Sequence, residues 1–402
     1  MPAIRVLMIA RCVAWPLHLG DRLIVYHLAR ELRARGVLLD LLAFADTPAD
    51  WSLENQQHYT PYFESVTLFD APRRPLPELL RRALLPAARF ASQAHASFAP
   101  ELWREGERRL ATTRYDAVHL FGGIQVYEFA PLLRGLKTII TPYESYTLLL
   151  RRTLAHQPSI VHRLQWNMAR HYERWMFSPY DVVTVLSEPD RDELLMLNAA
   201  LNVRVIPNGI DLSAFPLRDS ARDAAHFVFL GNYDYAPNAE AALWLAQDIF
   251  PRVRQALPNA QLSLVGNAPP ASLLALASDS VTVTGRVPSV APYLARATAF
   301  VCPLRVGAGI KNKALEALAA GCPLIATPLS VDGIHITDGE NALVADTAEG
   351  IAAAMIRLAQ DRALAAQFSA GGRALIEREY TWAHVADDYL ALYTGKSHQT
   401  RD

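Results

Sequence analysis

The residues able to do chemistry concentrate in one stretch of this 402-residue chain, Pro303 to Gly321. An apolar run ends at Pro303, a loop carrying Gly307 and Gly309 follows, and the pattern turns helical near Asn312. Glycines let a backbone approach a ligand closely, and a helix start offers unpaired N–H groups with positive potential. Arg305, Lys311 and Lys313 bring cations to the same point. A diphosphate is the occupant that suits this pattern. Glu316, one turn into the helix, is placed to accept hydrogen bonds from a pair of sugar hydroxyls. An ordinary strand-to-helix connection with surface lysines is the other reading of the same residues.

Composition removes several classes of function. Thirty-nine Lys plus Arg stand against forty Asp plus Glu, so the basic excess of a phosphate-neutralising nucleic-acid binder is missing and no nucleic-acid partner is expected. Apolar residues at 51% and charged residues at 20% describe packed cores and exclude a disordered chain. The three cysteines, Cys12, Cys302 and Cys322, form no Cys-x-x-Cys pair, which argues against a zinc module or disulfide scaffold and for a reducing compartment. The opening apolar run is closed by Arg11, too early for a signal peptide, and no run approaches the ~18 residues of a spanning helix. A cytoplasmic protein is expected.

The elements that must position the stretch alternate between strand and helix. Ile4–Ala10 reads as a strand buried on both faces, followed by a loop at Trp15–Gly20 and a helix from Asp21 to Gly36. Further strands are predicted at 37–44, 117–121, 138–141 and 181–186, with a helix at 161–177. A second alternation starts near Val203–Ile206, with strands at 226–230, 261–265, 281–284, 299–303 and 323–327. Between these lie helices at 239–257, 271–277, 290–297 and 313–320, and another begins at Glu349. This order predicts two Rossmann-like, doubly wound parallel-sheet domains facing a central cleft, with ligands beyond the carboxyl ends of the strands. The seam falls near Pro207-Asn208-Gly209. The boundaries are set at 1–205, 206–379 and 380–402, the last a helix able to return to the first domain.

In this order the motifs resemble retaining GT-B glycosyltransferases of family 4. The stretch 303–321 with Cys322-Pro323-Leu324-Ile325-Ala326-Thr327 is similar to that family's donor-binding region. Val205-Ile206-Pro207-Asn208-Gly209-Ile210-Asp211 with Phe215 resembles its interdomain segment. Phe229-Leu230-Gly231 with Asn232-Tyr233-Asp234-Tyr235-Ala236-Pro237-Asn238 resembles the first strand and loop of its C-terminal domain. Leu264-Val265-Gly266 and Val283-Thr284-Gly285-Arg286-Val287 match the next two strand ends. The Asp-Tyr-x-Pro-Asn and Gly-Ile-x-Asn-Lys pair is similar to a subgroup linked with bacterial exopolysaccharide assembly.

The resemblance implies roles position by position. Glu316 matches the second glutamate of the family's E-x7-E motif and would hold the nucleotide ribose. Ala308 stands where the first, sugar-contacting glutamate would be. Sugar recognition would then fall to backbone amides around Gly307, Gly309 and Ile310, with Asn312 beside them. Arg286 and Val287 would lie beside the base, Gly231 and Asn232 would line the donor, and Gly20 would approach the donor phosphate. The family's Arg and Lys after the first C-terminal strand are missing, so Arg305, Lys311 and Lys313 are the expected counter-charges to the leaving diphosphate. Neither a metal ion nor a cofactor beyond the nucleotide diphosphate sugar is expected.

The first domain offers less. Pro142-Tyr143-Glu144-Ser145 follows a predicted strand where the family often has histidine, and Glu144 or Tyr143 either contacts substrate or caps the next helix. His119 reads as a buried core histidine and Ser187 as a helix cap. Residues 72–109 mix Arg73, Arg74, Arg81, Arg82 and Arg89 with leucines. They form either a basic helix on a membrane surface or a cover for the sheet with its arginines in water. The function expected is transfer of a sugar from a nucleotide diphosphate donor to a glycan or lipid-linked acceptor. Peripheral contact with the inner membrane face is compatible with it. Two alternatives stay open, a sugar-nucleotide epimerase of the same fold and a degenerate non-catalytic subunit.

Overall fold

Seven apolar segments pair as a parallel sheet in the order β3-β2-β1-β4-β5-β6-β7. They are β1 (Arg5–Ala10), β2 (Leu38–Ala45), β3 (Ser65–Asp70), β4 (Ala117–Phe121), β5 (Thr138–Tyr143), β6 (Val182–Val185) and β7 (Val203–Val205). Six more form a second parallel sheet in the order β10-β9-β8-β11-β12-β13. These are β8 (His226–Leu230), β9 (Gln261–Val265), β10 (Val281–Val283), β11 (Ala299–Cys302), β12 (Leu324–Ala326) and β13 (Leu343–Val344). The computed structural model describes residues 3–17, 20–217 and 222–395. The expected loop at Trp15–Gly20 therefore falls partly, at His18 and Leu19, outside the described residues.

Both sheets are all-parallel, as strands buried on two faces require. Residues up to Gly209 and from Trp382 onward form one compact unit, and Ile210–Thr381 form the other. Among the described residues no helix is long and apolar enough to cross a membrane.

Three details depart from the sequence reading, all at sheet edges or on the cover. β7, where the second alternation is expected to start although it lies inside the 1–205 boundary, is the edge of the first sheet, with Val183 paired to Val203 and Val185 to Val205. The turn residues that mark the seam follow this strand. Edge strands β3 and β13 are unmarked in the sequence because Ser65–Asp70 is mostly half-buried and Leu343–Val344 is two residues long. The arginines of segment 72–109 divide: Arg73 and Arg81 stay in solvent, while Arg74, Arg82 and Arg89 turn inward. Arg82 is buried against Glu128 at 2.7 Å and lies 3.9 Å from the Phe98 ring. Arg74 donates to the Gln125 carbonyl and Arg89 covers the Trp175 ring. The buried Glu128 carboxylate needs a counter-charge, and this draws Arg82 inward. The helix Leu76–Leu84 turns Leu76, Leu80 and Leu84 outward instead.

The terminal helix Trp382–Thr394 packs on the first sheet through a buried polar network. His119, buried as expected, bonds the Tyr393 hydroxyl through Nδ1 (2.6 Å) and Thr141 Oγ1 through Nε2 (2.7 Å). The Tyr389 hydroxyl reaches Thr184 Oγ1 at 3.3 Å. Burial holds the imidazole pKa well below its ordinary value, so the ring stays neutral and both nitrogens need partners. Tyr393→Phe removes one partner and leaves a buried ring nitrogen unpaired. Urea unfolding followed by tryptophan fluorescence should read a loss of about 1–3 kcal/mol in the first domain. An unchanged midpoint would mean that the network does not hold the terminal helix.

Candidate functional site

In an open parallel sheet the crevice lies where strand order reverses, beyond the carboxyl ends of the two central strands. In the second sheet that point is between β8 and β11. β8 runs into Gly231 and then the helix Ala236–Trp244. β11 runs into the loop 303–311 and then the helix Asn312–Ala319. Residues from both connections meet there.

Lys313, in the first turn of the helix Asn312–Ala319, reaches across to the β8 side. Its Nζ donates to Asn238 Oδ1 at 2.6 Å and lies 4.7 Å from the centre of the Phe229 ring. Asn238 is itself fixed, because its Nδ2 donates to the Asn232 carbonyl at 2.8 Å. The helix Asn312–Ala319 has Lys311 as its N-cap residue, whose side chain makes no capping hydrogen bond. Its far end is held by guanidinium groups. Arg222 donates to the carbonyls of Ala320 and Gly321, and Arg373 donates to that of Ala319. The carbonyl end of the dipole is thus satisfied by cations, and the N-terminal end of the helix lies at the switch point.

The other expected cations are used elsewhere. Lys311 is buried, and its Nζ donates to the carbonyls of Ala308 (3.0 Å) and Gly309 (2.5 Å), closing its own loop. The curl this closes needs left-handed backbone at Gly309 (φ 65°). Arg305 is engaged by the helix that follows β8. It pairs with Glu240 at 2.6 Å and stacks over Trp244 at 4.6 Å, which anchors the loop to the neighbouring helix. Of the three, Lys313 is the one brought to the switch point beside Glu316.

The charges at the site are shifted by burial. Desolvation raises the Glu316 carboxyl to about 7, opposed by the nearby Lys313 charge. Desolvation lowers the Lys313 ammonium to about 8, opposed by Cys302 and Glu316. The other residues expected on this side follow the neighbouring strand ends. At Gly266, after β9, an added Cβ would fall 1.7 Å from the Gly231 carbonyl oxygen, so the β8 and β9 ends touch backbone to backbone. Asn232 Oδ1 accepts from Asn267 at 3.2 Å. Arg286 is exposed and Val287 half-buried just past edge strand β10. Gly307 and Ile310 belong to the loop that Lys311 closes.

In the first domain, Gly20 is the first residue of the helix Gly20–Ala34. Glu144 is half-buried in the turn after β5, where the cap of the next helix is Ser145, accepting from the Leu148 N–H. The buried Glu173 carboxylate takes the Ser145 hydroxyl and the N–H groups of Tyr146 and Thr147 at 2.7–3.1 Å. Asp190 takes the Ser145 N–H at 2.9 Å. That helix start is thus already occupied by an anion from the protein. Sequence reasoning passed over both carboxylates, since nothing in their spacing ties them to a turn 28 and 45 residues away. Arg11 was passed over too. It follows β1 at this sheet's own strand-order reversal, its guanidinium against Asp21, and its position directly after a buried strand was the available signal. Beside it Tyr143 holds a left-handed φ of 73°, and its buried hydroxyl has no hydrogen-bond partner. A bulky residue in that conformation is strained and is characteristic of functional turns.

Known proteins resemble the chain in both halves. Residues 23–214 match "Glycosyltransferase Family 4" and residues 224–361 match "Glycosyl transferases group 1". Over 199 residues it is 28% identical to phosphatidyl-myo-inositol mannosyltransferase of Mycolicibacterium smegmatis, covering 47% of this chain and 50% of that protein. The chain thus spans about half the length of this curated relative. Two solved structures align almost throughout. Sucrose-phosphate synthase of Thermosynechococcus elongatus has a TM-score of 0.69 at 18% identity, covering 98% of each chain. Anabaena HepE, solved in complex with UDP, has a TM-score of 0.66 at 14% identity, covering 98% of this chain and 100% of that one. At such identities the likeness is one of fold, and the fold is GT-B.

The shifted groups give the ligand-free protein a defined pH response. Neutral Glu316 contributes stability that is present below its unfolded value of 4.5 and lost as pH rises through about 7. Neutral Lys313 contributes stability that is present above its unfolded value of 10.5 and lost as pH falls through about 8. Near pH 7.5 both groups carry the charge that burial disfavours, and their contribution to stability is lowest there. At pH 7.5, Lys313→Met and Glu316→Gln should melt at or above the wild-type temperature in calorimetry. The gap for Glu316→Gln should close towards pH 5. A clear drop in melting temperature for both variants would make the pair structural.

Proposed function

We propose that this chain, whose two domains belong to glycosyltransferase sequence families, moves a sugar from a nucleotide diphosphate donor to a glycan or lipid-linked acceptor with retention of anomeric configuration. One observation carries the reading: Lys313, the start of the helix Asn312–Ala319 and Glu316 converge at the switch point of the second sheet. The ammonium and the N–H groups stabilise the diphosphate as its charge develops. The Glu316 carboxylate takes ribose hydroxyls as a charge-assisted acceptor. The acceptor hydroxyl attacks from the face the diphosphate leaves. Diphosphate charge is met by the protein, so the reaction proceeds without a metal ion and survives EDTA.

A thermal-shift panel of UDP, GDP, ADP and dTDP sugars tests the donor, since a ligand bound only by the native state raises its melting temperature. One base should stand out, and purified protein should release that nucleoside diphosphate when acceptor is supplied. Glu316→Gln should weaken nucleotide binding by about 1–3 kcal/mol. Unchanged affinity in calorimetry would take Glu316 out of the site, and a panel without any shift would contradict the donor reading.

A lipid-linked acceptor, used at the cytoplasmic face in building a polysaccharide or cell-surface glycan, fits the first domain. Leu76, Leu80 and Leu84 on one helix and Ile160, Val161 and Leu164 on another are exposed, with Arg73, Arg81 and Arg163 also at the surface. Apolar residues rimmed by cations suit the headgroup region of an anionic bilayer. Sedimentation with vesicles containing anionic lipid should recover the protein, and Leu80→Glu with Leu84→Glu should lower recovery severalfold while donor binding stays the same. Equal recovery by the double variant would rule this face out.

A further inference from the structure

We infer that Asn238 is the positioning residue that aims Lys313 at the donor diphosphate while leaving its charge intact, an inference that rests on the donor-site reading above. Asn238 is buried, the third residue of the helix that follows β8. Its amide nitrogen is committed to the Asn232 carbonyl at 2.8 Å, so its oxygen must face the other way. That oxygen meets Lys313 Nζ at 2.6 Å. The bond ties the β8 connection to the helix after β11, the two sides of the switch point.

The choice of an amide has a consequence that a carboxylate or an alkyl group would not share. The groups facing Lys313 are Glu316 on its own helix, Cys302 at the end of β11, Lys311 in the loop and the Phe229 ring from β8. No ion pair to Lys313 is formed among the described residues. An ammonium carries three N–H donors, and Asn238 holds one of them without adding negative charge. The ammonium is thereby fixed in place with its charge still available to an incoming anion. A carboxylate at 238 would fix it equally well but neutralise it and repel a phosphate. A methyl group would leave it unanchored, in surroundings where burial already disfavours the charged form.

The prediction is a shift of opposite sign in two variants, which a merely structural residue would not give. Calorimetric titration of the full-length protein uses the nucleoside diphosphate selected by the panel and the matching nucleoside, from pH 6 to 9.5. In the wild type, diphosphate affinity falls above about pH 8 as Lys313 loses its proton. Asn238→Asp should move that limb upward and weaken the diphosphate about tenfold at pH 7.5, with nucleoside affinity unchanged. Asn238→Ala should move the limb downward. If both variants keep the wild-type limb, or weaken nucleoside and diphosphate alike, the positioning role is wrong. Lys313→Met separates this from the reading beneath it. Lost diphosphate affinity in Lys313→Met with wild-type behaviour in both Asn238 variants overturns only the role of Asn238. Unchanged diphosphate affinity in Lys313→Met overturns the donor-site reading as well.

Discussion

An ammonium drawn into an apolar crevice is unfavourable, and much of the second domain is arranged around the one at Lys313. Burial lowers its pKa to about 8; Asn238 accepts its hydrogen bond and the Phe229 ring lies against it, with Glu316, Cys302 and Lys311 close by. Such a charge persists where its surroundings offer partial compensation and where an anion can complete it. Glu316 nearby is raised to about 7 by the same burial. In the function proposed for this chain, the two shifts are cause and opportunity together. The groups whose charge burial disfavours most are the ones a nucleoside diphosphate would satisfy.

The surrounding structure supports that placement through contacts that carry no charge to the ligand. Arg222 and Arg373 hold the carbonyl end of the helix bearing Lys313, so its N–H end is fixed in direction. Lys311 closes the preceding loop on its own carbonyls, and Arg305 ties that loop to Glu240 and Trp244. Three cations close together in sequence therefore take three different jobs. The first domain uses a related device, with the Glu173 and Asp190 carboxylates locking the turn that follows the strained Tyr143.

The parallel α/β architecture was legible because buried strands and amphipathic helices write their periodicity directly into the chain. Val6 to Ala10 and Phe227 to Leu230 are continuous apolar runs since both faces of each central strand are covered. Edges were less legible. Ser65–Asp70 needs only one good neighbour and is half-buried, so its pattern is weak, and Val203–Val205, an edge strand too, reads as the start of the second alternation although it lies within residues 1–205. The loop at 303–313 stood out by residue type, but type does not give direction. Arg305 is taken up by Glu240, 65 residues earlier, a contact no local spacing announces. The arginines at 74, 82 and 89 were misjudged likewise, because the rings and the Glu128 carboxylate that draw them inward are distant in sequence.

The central claim is that the charges of Lys313 and Glu316 are completed by the nucleotide. Proton exchange on binding reads this directly, through calorimetry of one nucleoside diphosphate in buffers of differing ionisation enthalpy. At pH 8.5, above the lowered ammonium value, binding should take up a fraction of a proton as Lys313 becomes charged against the diphosphate. At pH 6.5, below the raised carboxyl value, binding should release a fraction of a proton as Glu316 ionises against ribose hydroxyls. A change of sign between the two pH values, abolished at the alkaline end by Lys313→Met, is the predicted result. Binding with no proton exchange at either pH would contradict the account.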